Sequence, residues 1–576
     1  MIATMEMLVP ESPAGRPLNI ADHVRLRAEV QPHDRAVVVP RFRDRAGRRG
    51  YTHWTFAQLN RCIDGYARGL AVLGVTRGMR VLLMVEPSLE FFGLTFALLR
   101  MGAVVVLIDP AMGRIPVLGA ILEVEPEAFI AVPRGHVARM LFPQAFSSVR
   151  ISVIVGPKWF LGGVTLDDVV RLGEEGDSSA RADTHAGDLA AILFTSGSTG
   201  APKGVLYTHG IFDAQVRIFS EEFGIEAREI DLSAFPLFSL FSVALGVTVI
   251  VPDMDATRPA FVDGAKILEA VEDQGVTYAF GSPAFWHRVA GYCEEKGRKL
   301  TSVRRVLMAG APAPLSLLER LERLIAPSAD IFTPYGATEC LPITLPSARE
   351  LLRSKGHRTR EGRGTCVGRP MPETSIKIIE ITDAPIEHVE KAQFLPPGNI
   401  GEICVSSPVT TQGYFRRPDD DAASKIRDGA RSWHRMGDVG WVDEDGDLWF
   451  CGRKSHRVGT PSGTLFSVCT EAIFNEHPSV YRSALVGIGE PGQEEPVIIV
   501  ECRPEQAPRS SAERRRIAQE LRELGAARFS DHPSVRSIEK VLFHPSFPVD
   551  ARHNAKIRRE VLRGWARKQI ERGRHR

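Results

Sequence analysis

The chain has 576 residues, 44% apolar and 25% charged, an ordinary globular mix that excludes a disordered, collagen-like or coiled-coil chain. At about 150 residues per unit, three or four structural units are expected, enough for a large core and a cleft between domains. Lysine and arginine number 72 against 70 aspartates and glutamates, a net charge of +2, so nucleic acid is not expected as a partner.

The charge is uneven: residues 551–576 carry ten basic and two acidic side chains, and the rest of the chain is net negative. Eight cysteines are spread without a CxxC pair, which argues against a zinc site or a disulfide framework and for a reducing cytosol. The opening MIATMEMLVPESPAGRP has an acidic residue and an early proline where a secretory signal needs a basic start and an apolar run, so a cytoplasmic location is expected.

Up to about residue 340 the chain alternates helices with short apolar strands. Glu90 to Met101 is apolar at helical spacing, stops at Gly102, and gives way to the β-rich AVVVLI and the turn pair Asp109-Pro110. The same grammar recurs in KILEAVEDQG then VTYAF, in VRRVLM then LSLLERLERLI, and in ADIF. Such alternation predicts α/β layers with largely parallel sheets. Residues 232–252 are uncharged for 21 positions, long enough to cross a bilayer. Pro236, Gly246 and several hydroxyls interrupt them, so buried core is expected and a stable membrane span is not. From about Ser375 short strands with turns (SIKIIEI, GEICVSS, GDLWFCG) predict a β-rich subdomain. Beyond Arg453, ALVGI, VIIVE, a charged helix near 511–525 and a basic helix from about Ala555 predict a small, mobile α+β domain. The expected division is 1–452 and 453–576.

The most informative stretch is LFTSGSTGAPKG, Leu193 to Gly204. An apolar strand enters a turn in which glycines allow close backbone approach, so successive N–H groups can form an anion nest. Thr195, Ser196, Ser198 and Thr199 add hydroxyl donors and Lys203 a point charge. The spacing is not that of a Walker A loop, and composition alone leaves a plain solvent turn open.

The segment resembles the signature of the adenylate-forming superfamily, which unites acyl-CoA synthetases, luciferases and peptide-synthetase adenylation domains. Further segments resemble that family's later motifs, in its order: Gly310-Ala311-Pro312, Thr333 to Glu339 (TPYGATE), Gly368-Arg369-Pro370, Gly401-Glu402-Ile403, Gly413-Tyr414, WHRMGD ending at Asp438, and Gly452-Arg453. The similarity covers roughly residues 50 to 565. It implies an AMP-forming ligase acting at the α-phosphate of ATP with Mg²⁺. Thr195, Ser196, Gly197, Ser198, Thr199, Gly200 and Lys203 would hold the β- and γ-phosphates. Glu339 would hold the metal, with Thr195 contributing its hydroxyl, and Thr338 would donate to the α-phosphate. Gly310, Ala311 and Pro312 would pack on adenine, Tyr335 with Gly336 would stack on it, and Asp438 would accept from both ribose hydroxyls, with Arg453 nearby. Lys556, in FPVDARHNAKIRREVL, corresponds to the family's C-terminal catalytic lysine, although His-Asn-Ala-Lys replaces the usual Pro-x-Gly-Lys.

The chain departs from the family pattern in places that concern the second half-reaction. Ser455 and His456 stand at the hinge where relatives carry a lysine or acidic residues, TPSGTLFS carries an extra residue, and Pro236-Leu237-Phe238-Ser239 replaces an aromatic or histidine beside the acyl site. One branch is consistent with intact ATP motifs and an altered second step. The chain resembles the β-lactone synthetases of bacterial long-chain olefin biosynthesis. Such enzymes adenylate a long-chain 2-alkyl-3-hydroxy fatty acid, whose own β-hydroxyl then expels AMP. The segment 234–251 with Phe280, Phe285 and Trp286 would supply the pocket for the alkyl chains. The resemblance leaves room for assembly with other enzymes of that pathway. A long-chain fatty acyl-CoA ligase and a non-catalytic lipid- or nucleotide-binding descendant stay open as alternatives.

Overall fold

The computed structural model describes residues 17–175, 180–195, 201–429, 431–528, 538–550 and 556–574. Two seven-stranded sheets carry the first 340 residues. One runs in the order 330–332, 305–308, 278–281, 230–233, 248–250, 35–43, 49–55, and the other 164–165, 151–154, 128–131, 80–84, 104–108, 189–195, 203–208. All pairs are parallel except the last in each sheet. Helices cover the parallel strands, so the strands read as unbroken apolar runs, as in VVVLI of Val104–Ile108. The helix Leu89–Arg100 begins at Ser88, whose side chain accepts from Phe91 N, and the chain turns at Gly102.

The uncharged stretch 232–252 folds back on itself as the end of strand Ile230–Ser233, helix Pro236–Ala244 and strand Thr248–Ile250. Among the described residues no helix is long and apolar enough to cross a membrane. Behind that helix, Ser242 Oγ donates to the buried Asp231 carboxylate at 2.7 Å and accepts from Tyr278 Oη at 2.8 Å. Burial pushes the Asp231 carboxyl up to about 7. Because the folded value lies above the unfolded 3.8, the stabilisation is complete below about pH 4 and is lost as pH rises through about 7. Relative to Asp231→Asn, the wild type is therefore expected to lose up to about 4 kcal/mol between pH 4 and pH 8. Urea unfolding midpoints of both proteins at the two pH values check this, and parallel pH profiles would refute it.

An antiparallel sheet follows, in the order 365–368, 448–453, 431–442, 401–406, 375–379, with 425–428 on the strand Arg431–Val442. Beyond it lie the hairpin Val458–Thr460 and Gly463–Leu465, a three-stranded sheet (480–488, 495–502, 540–543) and the helices Ser467–Phe474, Ser511–Arg528 and Arg559–Arg574. The TPSGTLFS segment thus supplies that hairpin and the turn into the next helix. The basic helix begins four residues later than expected, at Arg559, and Ile557 just before it forms an antiparallel bridge with Val549.

Candidate active site

The two antiparallel sheets between residues 335 and 453 build the polar floor of one large cavity, about 1950 Å³. Strands Tyr335–Ala337 and Cys340–Thr344 form a tight hairpin with Thr338 and Glu339 at its turn. Strands Arg431–Val442 and Leu448–Arg453 pair in a register that sets Asp438 opposite Arg453. Cross-strand neighbours on one face meet directly, and the Arg453 guanidinium lies 2.9 Å from the Asp438 carboxylate. Tyr335 Oη donates to the other Asp438 oxygen at 2.7 Å. Burial pushes the Asp438 carboxyl up, while Arg453 and Tyr335 pull it back. The same burial, reinforced by Asp438, holds the Tyr335 hydroxyl well above its ordinary value, so it stays a donor.

Glu339 is oriented from outside the hairpin. Tyr414 Oη donates to its carboxylate at 2.7 Å, and Thr411 donates to its carbonyl through both N (2.9 Å) and Oγ1 (3.0 Å). Tyr207 Oη donates to the Thr338 carbonyl at 2.5 Å. Lys425 Nζ donates to the Thr411 carbonyl, and burial lowers its ammonium to about 8 against the opposing pull of Glu339. Gly413 is required where the chain turns into Tyr414, because a Cβ there would stand 2.7 Å from an Asp421 carboxylate oxygen. That same oxygen accepts from Tyr414 N at 2.8 Å.

Thr195 closes strand Leu189–Thr195, paired across the hairpin with Lys203. Ser196, Gly197, Ser198, Thr199 and Gly200 lie outside the described residues, as does the side-chain environment of Thr195. Lys203 is held by Asp420 at 2.6 Å and stands 5.1 Å above the Tyr414 ring. The ammonium thus has a carboxylate counter-ion that a phosphate group would replace. Gly310, with φ of +95°, turns the chain into Ala311 and Pro312 after strand Arg305–Met308.

Lys203, Gly310, Ala311, Pro312, Tyr335, Gly336, Thr338, Glu339, Asp438, Arg453 and Lys556 all line this single cavity. Lys556 is exposed, and its backbone is pinned to Asp550 by N to Oδ1 at 2.9 Å and O from N at 3.1 Å. Three residues on, Arg559 forks onto the buried Glu471 at 2.6 and 2.8 Å. Burial, with the charges of Arg559 and Arg453, lowers the His456 imidazole to about 4. The position expected to be the hinge therefore carries a neutral ring under the influence of two guanidinium charges. Lys454 reaches the other way, to Glu402 at 3.2 Å, an acid also gripped by Arg435 at 2.6 Å.

The far end of the cavity is apolar. Phe235, Phe238, Phe241 and Phe280 line it, and the rings of Phe238 and Phe280 stack at 4.0 Å and 14°. Phe285 and Trp286, expected there, face the other way. Both are buried in a separate core with Leu317, Leu318 and Leu321, because their helix turns that face onto the helix Leu315–Leu324. Tyr207, Tyr414 and Lys425 are the functional neighbours that motif reading missed as actors. Tyr414 was visible as a marker, but a lone lysine in AASKIRDG and a strand tyrosine carry no local signal.

Among the described residues, Glu339 lies beside the hydroxyl oxygens of Tyr414 and Thr411, hard donors of the kind that suits a magnesium nucleotide, while the adjacent Cys340 thiol is engaged with Thr410 at 3.3 Å. The AMP-binding enzyme family matches residues 24–415. An olefin β-lactone synthetase of Xanthomonas campestris pv. campestris is 44% identical over 96% of this chain and 98% of its own length. Another, of Stenotrophomonas maltophilia, is 43% identical over 97% and 99%. O-Succinylbenzoate coenzyme A synthetase of Bacillus subtilis, solved with ATP and magnesium ion, shares the fold with a TM-score of 0.70 at 22% identity, over 93% of this chain and 98% of that one. With the family match covering more than half of the chain and its motif residues gathered around one cavity, the chain belongs to the AMP-binding enzyme family, the adenylate-forming enzymes.

Proposed function

We propose that this chain is an ATP-dependent β-lactone synthetase, acting with Mg²⁺ on a long-chain 2-alkyl-3-hydroxy fatty acid and releasing AMP and pyrophosphate. The observation that carries the reading is the end-to-end identity of 44% with an olefin β-lactone synthetase, joined to a cavity whose polar floor continues into an aromatic wall. Residues 1–452 would bind the nucleotide and acid, and 453–576 would act as the lid that presents Lys556.

The first step sets a carboxylate oxygen against the α-phosphorus, with pyrophosphate leaving, so two anions must be brought together and held in line. Asp438 and Tyr335 would fix the nucleoside, and Thr338 would donate to the α-phosphate. The turn 195–203 would hold the departing pyrophosphate. Lys556 would bridge carboxylate and α-phosphate. Glu339, oriented by Tyr414, is the carboxylate suited to Mg²⁺, which when bound neutralises phosphate charge. In the second step the β-hydroxyl oxygen bonds to the acyl carbon, the bond to AMP breaks, and the hydroxyl proton is released. The nucleophile is already bound, so its effective concentration is far above that of any free thiol. Each buried methylene of the alkyl chains is worth about 0.8 kcal/mol. A cytoplasmic location and assembly with other enzymes of olefin formation belong to the same reading.

Incubation with ATP, Mg²⁺ and a long-chain β-hydroxy acid is expected to yield AMP, pyrophosphate and a β-lactone without coenzyme A. Product that appears only when coenzyme A is added would replace this reading with a fatty acyl-CoA ligase. Absence of acid-dependent pyrophosphate exchange with every acid tried would leave only a binding role.

A further inference from the structure

The helix Arg114–Val124 is apolar on every side, RIPVLGAILEV, a pattern that ordinarily marks a helix buried all round. Its inner face is buried through Ala120, Ile121 and Val124, yet Ile115 and Leu122, seven residues apart on one face, are 79% and 53% exposed. The neighbouring helix Pro133–Leu141 ends in Met140 and Leu141, both exposed. Beside it runs the segment 156–162, close to Pro133 at one end and accepting from Arg139 through Gly162 O (3.2 Å) at the other. That segment holds Trp159 at 62% and Phe160 at 75% exposure. Trp159 has φ of +47°, a left-handed conformation that costs a bulky residue energy and here presents the indole to solvent. Phe142, Met112, Val117 and Leu118 pack against the same buried cluster, and the Arg114 guanidinium stands 5.9 Å from the Phe142 ring.

Two further features say what covers this face. Its exposed cations, Arg114, Arg134 and Lys158, form no ion pair among the described residues, whereas the acids nearby are spent: Glu123 on Arg417, Glu125 on Arg416, Glu127 on Arg80. The patch also borders the cavity, which is lined by Met112 just before the first helix and by Arg134 and Ala138 of the second. Apolar and aromatic side chains beside cations without an ion pair, with no spanning helix among the described residues, match the chemistry of peripheral seating on an anionic bilayer.

We propose that the face formed by Ile115, Leu122, Met140, Leu141, Trp159 and Phe160 seats on an anionic lipid surface, so that an apolar acid enters the cavity from the membrane. The inference does not depend on whether the product is a lactone, since it concerns how any lipid acid reaches the cavity.

Flotation with sonicated vesicles of phosphatidylglycerol, and separately of phosphatidylcholine, tests it. The full chain is expected to float with the first at low salt, at least tenfold more weakly with the second, and to be released as salt rises. Trp159 fluorescence should shift to the blue and be quenched by acyl-brominated lipid, and Trp159→Phe should lose that signal. Trp159→Ser with Phe160→Ser, and Arg114→Glu with Lys158→Glu, should each reduce flotation at least tenfold. Phe42→Ser, an exposed ring elsewhere, should not. Pyrophosphate exchange with a short soluble acid should stay at the wild-type rate in all of these variants, which shows that they fold. Flotation that is absent, equal on both lipids, or unchanged in the patch variants would overturn the proposal. So would sedimentation showing the same face closed by a second copy of the chain, or its capture by a purified partner enzyme in place of vesicles.

Discussion

Lys556→Ala is expected to lower acid-dependent exchange of pyrophosphate into ATP by about 10²–10³-fold while ATP binding stays within about threefold of wild type. The size follows from removing one preorganised cation aimed at charge that develops between carboxylate and α-phosphate. Several features support that proposed role. It borders the same cavity as Thr338, Glu339 and Asp438, its backbone is fixed to Asp550, and the next turn of chain is anchored by Arg559 on Glu471. The surrounding basic tract supplies the control. Arg567 and Lys568 are exposed on the helix beyond, and alanine at either should leave exchange near the wild-type rate. Equal losses at 556 and 567 would mean that general positive charge, not one placed ammonium, assists the reaction. Lys556→Arg should recover little, because a planar fork does not replace a compact ammonium between two anions.

Glu339→Gln should cost on the order of 10²–10³-fold in exchange at fixed Mg²⁺, and part of that loss should return as Mg²⁺ is raised. Removing a unit negative charge from beside a divalent cation forfeits several kcal/mol of attraction, of which water and the remaining ligands recover part. The amide keeps the shape and can still accept from Tyr414, so the unfolding midpoint should change little. Tyr414→Phe should show a smaller loss in the same direction, about tenfold, since it frees the carboxylate to rotate without removing its charge. A Glu339→Gln enzyme with unaltered Mg²⁺ dependence would show that this carboxylate does not hold the metal.

Much of the α/β layering was legible because parallel strands buried on both faces and the helices between them leave distinct periodicities, as VVVLI after the helix Leu89–Arg100 shows. The motif residues were legible for a different reason. Glycine, proline and hydroxyl clusters at turns are local features, and the turn that carries Thr338 and Glu339 is made by adjacent residues. Phe285 and Trp286 were misplaced because an apolar residue after a strand reads the same whether it faces a cavity or the opposite core. Only the packing of their helix on Leu317, Leu318 and Leu321 decides.

What the linear order of residues determined is the chemistry available: a glycine-hydroxyl turn suited to phosphate, carboxylates, lysine, and the apolar run that could not be surface. What the tertiary structure alone decided is which groups tune that chemistry. Tyr207 and Tyr414 reach the Thr338-Glu339 turn from 131 and 75 positions away, and Lys425 supports it through Thr411, 72 positions from Glu339. His456 feels the charges of two arginines, Arg453 and Arg559, more than a hundred residues apart in sequence. Contacts across such separations depend on sheet register and on how layers stack, and neither leaves a local pattern in the sequence.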